Sequence, residues 1–237
     1  MSSDTLNQTL ETQLAQSTDP GQRIELLNAL AANLRHSDLE RAWAINREVE
    51  QLAQSADFAA PNYQGLADCF YWRGKLYSLQ SDYEQALICF YRALAYAEQA
   101  AAQGCVDPPP SVARYVDAAD QFLEHGATIS AIHNVLGITL VLLEQFDEAL
   151  RHYMQAWQLV ERNQDHWIKV LLCNNIGYLY REIDNPAQAA SYLEQGLKLL
   201  GEFPTTTALQ RLQRDARTRR AGCLDIDNTR RQKFIYR

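Results

Sequence analysis

The sequence predicts an all-α protein from its composition, from its scarcity of strand formers and from its hydrophobic content. Good helix formers such as Ala, Leu, Gln, Glu and Arg recur along the chain, whereas Gly (10) and Pro (7) are sparse among the 237 residues. Runs of the β-branched residues Val, Ile and Thr, which favour strands, are short. Because 47% of the residues are hydrophobic, the chain can bury a sizeable core in one large or two small domains.

The chain shows no sequence signal for a membrane span, a secretory leader or a disulfide framework. Its longest apolar run, residues 131–143, is shorter than the roughly 18–20 residues that a spanning helix needs, and it contains His133 and Asn134. The first 16 residues lack the basic and apolar regions of a signal peptide. The five cysteines are odd in number and form no CxxC pair, which favours a reducing compartment. We therefore expect a cytoplasmic protein without a membrane segment.

The order of elements follows from periodicity and turn chemistry. A short N-terminal helix is followed by helical hairpins predicted over 21–56, 62–104, 127–163 and 166–201. An insertion over 105–126 separates the second hairpin from the third, because the triple proline at 108–110 cannot lie in a helix interior. We expect one domain over 1–204 and a basic C-terminal helix or tail over 205–237.

Capping chemistry predicts where the second helices of the hairpins begin. Ser37 with Glu40, and Ser81 with Glu84, fit a capping box in which Ser accepts from the third amide and Glu reaches back. In the last hairpin Asn185 can cap, and the next residue is a proline that suits the first helical position.

Three stretches of the chain repeat one pattern of small and large residues. A glycine is followed after twelve residues by Ala, four residues later by a large residue, and three residues later by a small one. The aligned positions are Gly74, Ala86, Phe90 and Ala93; Gly137, Ala149, Tyr153 and Ala156; and Gly177, Ala189, Leu193 and Gly196. A degenerate fourth unit precedes them, with Ala42 as its first alanine.

The pattern resembles the tetratricopeptide repeat, a helix–turn–helix unit with small, aromatic and small residues at these offsets. The aligned alanines lie 44, 63 and 40 residues apart, against a family minimum of about 34. Such long repeats resemble those of bacterial signalling proteins. The chain departs from the pattern at the tryptophan-like first position and at the closing proline. The resemblance implies stacked antiparallel hairpins that curve into a right-handed superhelix with an inner groove.

The sequence supplies no catalytic or cofactor-binding constellation. It has no nucleotide-binding glycine loop, and its five histidines show no metal-ligand spacing. His133 occupies a core position of the repeat, and Cys173 has no sequence neighbour that would lower its pKa. Asp225 and Asp227 are read as solvated charges. We therefore predict a protein that is not an enzyme and binds neither a cofactor nor a metal.

The resemblance implies a binding surface on the first helix of each unit. Asparagine at a groove position offers a donor and an acceptor to a peptide backbone; the alternative is that Asn174 or Asn175 bridges to the adjacent helix. The mixed polar and apolar lining favours a peptide or helix over a carboxylate clamp. The predicted partner-binding residues are Tyr71, Lys75, Asn134, Ile138, Asn174, Asn175, Tyr178 and Arg181.

Charge is divided unevenly along the chain. Through Gln210 there are 13 basic and 26 acidic residues, whereas from Arg211 to Arg237 there are 9 basic and 3 acidic residues. An arginine-rich tail can bind phosphate non-specifically, but a solvating helix or an arm on the acidic body is the favoured interpretation.

The function that these patterns favour is a non-catalytic module that binds a peptide or protein segment in its concave groove, as a scaffold or adaptor. The first alternative is a sensory or regulatory protein acting in trans on a signalling kinase, cyclase or transcription factor. The second alternative is an enzyme of unrecognised type. We expect a protein partner, no membrane partner and no nucleic acid, and the sequence is compatible with a homo-oligomer.

Overall fold

The computed structural model describes residues 3–55, 58–104 and 127–201, together with residues 214, 216–218 and 220. Within these ranges every regular element is helical, which confirms the all-α prediction. The bounds of the helices are α1 Ser3–Gln16, α2 Pro20–Leu34, α3 Leu39–Ala53, α4 Tyr63–Leu79, α5 Tyr83–Ala102, α6 Ile129–Leu142, α7 Phe146–Asn163, α8 His166–Glu182 and α9 Pro186–Leu200. The predicted insertion at 105–126 and most of the predicted tail lie outside the described residues.

The helices belong to two compact units, residues 1–139 and residues 140–237, which are called unit 1 and unit 2 below. Unit 1 contains α1 to α5 and most of α6. Unit 2 contains the end of α6 and α7 to α9. The domain boundary between residues 204 and 205 stays a prediction.

Unit 1 is built from two helical hairpins around one hydrophobic core. Helix α2 packs on α3 and α4 packs on α5, while α4 also contacts α2 and α3, and α1 covers α2. The short turns inside each hairpin make its two helices antiparallel neighbours. The largest fully buried side chains of this core include Trp72, Phe70 and Phe90. Ile132 and Leu136 of α6 join the same core.

A buried polar network fastens the two hairpins of unit 1 to each other. The Asn46 amide on α3 is fully buried and donates to the Cys69 carbonyl of α4 at 2.7 Å. In return Arg73 Nε donates to Asn46 Oδ1 at 2.7 Å, and the Arg73 guanidinium pairs with Glu50 at 2.7 Å. Because donor and acceptor of Asn46 are both satisfied, the network fixes the register of α3 against α4 at little desolvation cost.

Unit 2 packs α7 on α8 and α8 on α9. Helices α8 and α9 approach each other closely at Gly177, where a Cβ atom would stand 2.8 Å from Leu193 Cγ and 3.3 Å from the Ala189 carbonyl oxygen. Glycine in a helix interior costs about 1 kcal/mol relative to alanine. The close packing of α9 explains why a glycine is nevertheless found here. Tyr180 stacks on Tyr192 of α9 with ring centroids 5.6 Å apart.

Each turn between the helices of the three aligned repeats contains one residue in the left-handed region. These residues are Ser81 (φ 61°), Glu144 (φ 59°) and Asp184 (φ 63°), and each lies seven residues after the aligned glycine. The left-handed region ordinarily favours glycine. Since a different residue stands there in every repeat, the turn shape is imposed by the helix pair and not by local preference.

The predicted serine caps are wrong by one residue. The N-caps of α3 and α5 are Asp38 and Asp82, whose carboxylates accept from the amides of Arg41 at 3.0 Å and Gln85 at 3.1 Å. Ser81 cannot cap because it occupies the left-handed turn position. In the last hairpin the prediction is confirmed: Asn185 is the N-cap, and the next residue is a proline at the first helical position.

Candidate protein-interaction surface

The sequence-predicted binding residues all lie on first helices of repeats. In unit 1, Tyr71 and Lys75 lie on α4, and Asn134 and Ile138 lie on α6. In unit 2 the remaining four lie on α8: Asn174, Asn175, Tyr178 and Arg181.

The unit 1 residues differ sharply in how much surface they offer. Tyr71 and Asn134 are only 5% and 6% exposed, whereas Lys75 and Ile138 are half-buried. A partner on this face would therefore contact Lys75 and Ile138 directly. It would be separated from the Tyr71 ring by the Lys75 amine, which lies over that ring.

Four residues form what we call the cation–aromatic cluster: Arg35, Tyr71, Trp72 and Lys75. Lys75 Nζ lies 5.8 Å from the centroid of the Tyr71 ring, and Arg35 Cζ lies 5.5 Å from the centroid of the Trp72 ring. The two rings meet edge to face, with centroids 5.2 Å apart and planes at 85°. Two cations on different helices, α4 and the C-terminal end of α2, are thus joined through a buried aromatic pair.

In this cluster, burial and the repulsion between neighbouring positive charges both disfavour the ionised forms of the basic groups. Burial first, and the Arg35 charge second, lower the pKa of the Lys75 amine to about 8. The pKa of the Arg35 guanidinium is also lowered by burial. The neighbouring His36 has its pKa lowered by burial and by the charges of Arg35 and Lys75. Burial and the neighbouring Arg35 charge therefore both disfavour the protonated form of the Lys75 amine.

Arg35 has a structural role as well as an electrostatic one. It is the C-cap residue of α2, and its guanidinium donates to the Ala32 carbonyl in the last turn of that helix. A cation at this position is favourable because helix C-termini carry partial negative charge. From this position its side chain also reaches the Trp72 ring on α4.

Sequence reasoning missed Arg35 and Trp72 as members of the cation–aromatic cluster, and it missed His36 beside them. Arg35 and His36 belong to the degenerate first unit, where Leu30 stands at the position of the aligned glycine, so the alignment gave no reason to count them as groove residues. The signal that could have found Arg35 is its spacing, because it lies seven residues before Ala42, as Leu79 does before Ala86.

The unit 2 residues form a second, mixed polar surface on α8. Asn174, Asn175 and Tyr178 are half-buried. The Arg181 guanidinium lies 4.7 Å from the centroid of the Tyr178 ring, and it pairs with Glu182 at 3.0 Å. Because that ion pair is between exposed neighbours, it contributes little to stability, and Arg181 stays available to a partner.

Cys69, Cys173 and His133, whose side chains have reactive chemistry, are buried in the core. Burial raises the pKa of the Cys69 and Cys173 thiols to about 12, which makes both poor nucleophiles at neutral pH. His133 is buried at 6% exposure. No three His, Cys, Asp or Glu side chains come together as potential metal ligands within the part of the chain that the structure describes.

The fold and the surface define an all-α helical-repeat protein with half-buried polar and cationic side chains on its first helices. Family comparison agrees: the Tetratricopeptide repeat models match residues 67–99 and residues 128–202. The chain therefore contains tetratricopeptide repeats over these residues, as the aligned glycines and alanines predicted. Such repeats suggest a protein-interaction module.

Among solved structures, the chain is similar to the crystal structure of BtubC (BKLC) from P. vanneervenii. The two share 16% sequence identity with a TM-score of 0.62, and the alignment covers 98% of this chain and 89% of that chain. At this identity the similarity establishes a common fold and nothing about partners. No curated protein matches the sequence. Among the helices of the described ranges, none has the length and apolar character needed to cross a membrane.

Proposed function

We propose that this protein is a non-catalytic scaffold or adaptor that binds a peptide or protein segment along the first helices of its repeats. The observation that carries the proposal is the pairing of tetratricopeptide repeats with half-buried binding groups on those helices. In unit 1 these groups are Lys75 and Ile138, and in unit 2 they are Asn174, Asn175, Tyr178 and Arg181. Buried Tyr71 and Asn134 support the contact surface from below.

The chemistry of the described residues supports binding over catalysis. Catalytic sites need a nucleophile or an acid–base pair with a pKa matched to its task. Here the thiols of Cys69 and Cys173 are held in the protonated form by burial. The same free, buried thiols support the proposed cytoplasmic location, because reducing compartments keep cysteines unpaired.

A role in bacterial signalling, acting in trans on a kinase, cyclase or transcription factor, is the finer form of this proposal. It rests on the 40- and 44-residue spacings of the repeats, which are longer than the family minimum. A captured partner of one of those three classes would support it.

The experiment is affinity purification followed by mass spectrometry with three chains: the unchanged protein, Lys75→Ala and Lys198→Ala. Lys198 is an exposed lysine on the second helix α9, so its loss changes the net charge equally without touching a first helix. We expect a defined set of proteins whose recovery drops with Lys75→Ala and persists with Lys198→Ala. A set that both variants recover equally would contradict binding at the first helices of unit 1.

A further inference from the structure

Helix α3 has one face that the packing of unit 1 leaves accessible. Glu40, Ala44 and Arg47 are exposed on this face, and Trp43 is half-buried. Their spacing of three, four and seven residues places them on the same side of the helix. Together with the C-terminal end of α4, this face lines an open cleft of about 750 Å³, which we call the α3 cleft. The residues that line the α3 cleft are Glu40, Arg41, Trp43, Ala44, Arg47, Tyr77 and Gln80.

The two ends of this face carry opposite charges. Glu40 and Arg47 are seven residues apart, which is about 10 Å along the helix axis. Within the described residues neither side chain makes an ion pair or a hydrogen bond. Glu40 was predicted to complete a capping box, but Asp38 is the cap of α3, so the Glu40 carboxylate has no capping role. Arg41, by contrast, is paired with Glu11 of α1.

The middle of the face places a large side chain next to a small one. The Trp43 ring meets the Tyr77 ring of α4 edge to face, with centroids 4.8 Å apart and planes at 72°, and this contact holds the indole in place. Ala44 has no side-chain atom beyond Cβ, so a second helix can approach closely at this position. A helix that lies against α3 would therefore find an apolar centre between a negative and a positive end.

We propose that the α3 cleft is filled by helix α3 of a second copy of this chain, in an antiparallel pair about a two-fold axis. The axis passes between positions 43 and 44. Glu40 of each copy then lies opposite Arg47 of the other, and Trp43 lies opposite Ala44. A two-fold contact requires a surface that is complementary to itself, and this face is complementary to itself in charge and in side-chain size. A parallel pair would instead place like charges opposite each other, which repulsion disfavours.

This dimer is weak, because ion pairs at a protein surface contribute little and one pair of helices covers a small area. The stem of Arg47 adds apolar contact where it lies over the Trp43 ring of the other copy, while its guanidinium reaches Glu40. We expect a dissociation constant on the order of 10–100 µM. The inference does not depend on the proposed function, since α3 is a second helix and none of the predicted partner-binding residues lines the α3 cleft.

Sedimentation velocity of the unchanged chain from about 5 to about 500 µM tests for the dimer. We expect the average mass to rise with concentration from that of the 27.0 kDa chain toward twice that value. Arg47→Glu places two carboxylates opposite each other at both ends of the pair, and Glu40→Arg places two guanidinium groups there. Because like charges across an interface repel, each variant alone should dimerise at least tenfold more weakly than the unchanged chain.

An equimolar mixture of the two variants tests the antiparallel register. In a mixed pair every position 40 again lies opposite a position 47 of the opposite charge, so the mixture should dimerise about as strongly as the unchanged chain. This recovery also requires both variants to be folded, which circular dichroism checks separately. The matched controls are Glu98→Arg and Lys198→Glu, which make the same charge changes at exposed positions of α5 and α9. Neither control should change dimerisation more than about twofold.

Four results would overturn the inference. A chain that stays monomeric over the whole range would leave the α3 cleft to a different protein. Single variants that dimerise as well as the unchanged chain would place the contact between copies elsewhere. A mixture that stays as monomeric as the single variants would exclude the antiparallel register. Losses of the same size in the control variants would indicate a general effect of charge. None of these results affects partner capture by the first helices, which the variant Lys75→Ala tests.

Discussion

At the scale of single residues, Lys75 is the most informative side chain of the protein. The residue is half-buried, its amine lies over the Tyr71 ring, and the amine's pKa is lowered to about 8 by burial and by Arg35. The unfolded chain has no such constraint, so Lys75 binds its proton more tightly when the protein is unfolded. Its charge is therefore a destabilising feature at neutral pH.

This predicts a pH-dependent stability difference for Lys75→Met. At pH 7 the variant should be more stable than the unchanged protein, because it retains the apolar stem without the charge. Between about pH 8 and pH 10.4 the unfolded chain still holds the proton that the folded chain has released, so the penalty in the unchanged protein disappears with rising pH. Denaturant unfolding of both chains at several pH values measures this difference.

Lys75→Met must be compared with the unchanged protein at each pH, because other groups change the stability with pH in the opposite direction. Burial raises the pKa of Tyr71 and of Cys69, and these groups lower the stability of both chains equally at high pH. A difference that is constant from pH 7 to pH 10 would contradict a lowered pKa for Lys75.

Sequence reasoning succeeded at residues whose role is set by close neighbours. Gly177 was aligned as a small position of the repeat, and Leu193 and Ala189 lie where a Cβ atom would clash. The pairing of Arg35 with Lys75 was not predicted because the two residues are 40 positions apart, and their proximity arises from the stacking of α2 on α4. Charged residues that come together only through helix packing show no recognisable spacing in the sequence.

At the scale of elements, the hairpin turns show how the repeat geometry overrides local preference. Ser81, Glu144 and Asp184 adopt positive φ, and the following residue in the first of these turns is the aspartate that caps α5. The sequence predicted the right turn and the wrong cap, because a Ser-Asp pair contains two good capping residues and the backbone conformation decides between them. Ser37-Asp38 was misassigned in the same way.

We predict that Ser81→Gly stabilises the protein by about 1 kcal/mol, since glycine occupies the left-handed region without the steric cost that other residues incur. The control is Ser191→Gly in the exposed part of helix α9, where glycine should destabilise by about 0.5–1 kcal/mol. Thermal or denaturant unfolding compares both variants with the unchanged chain. Destabilisation by Ser81→Gly would mean that the serine side chain contributes more than the turn conformation costs.

At the scale of the whole molecule, the chain combines an acidic body with a basic C-terminal part. The counts are 26 acidic against 13 basic residues through Gln210, and 3 against 9 thereafter. Among the few described residues of that part, Arg220 pairs with Glu194 of α9 at 3.2 Å and Ala216 is buried. Arg220 and Glu194 thus pair a residue of the basic part with a residue of the acidic body.

The central claim is that partners bind the first helices of the repeats, and site-specific photo-crosslinking tests it most directly. The photoreactive analogue p-benzoylphenylalanine replaces Tyr178 on first helix α8, Lys75 on first helix α4, or Tyr91 on second helix α5, in separate chains expressed in cells. Tyr91 is the matched control because it is an exposed tyrosine outside the proposed surface. We predict covalent partner adducts from positions 75 and 178 and none from position 91; adducts from position 91 alone would contradict the account.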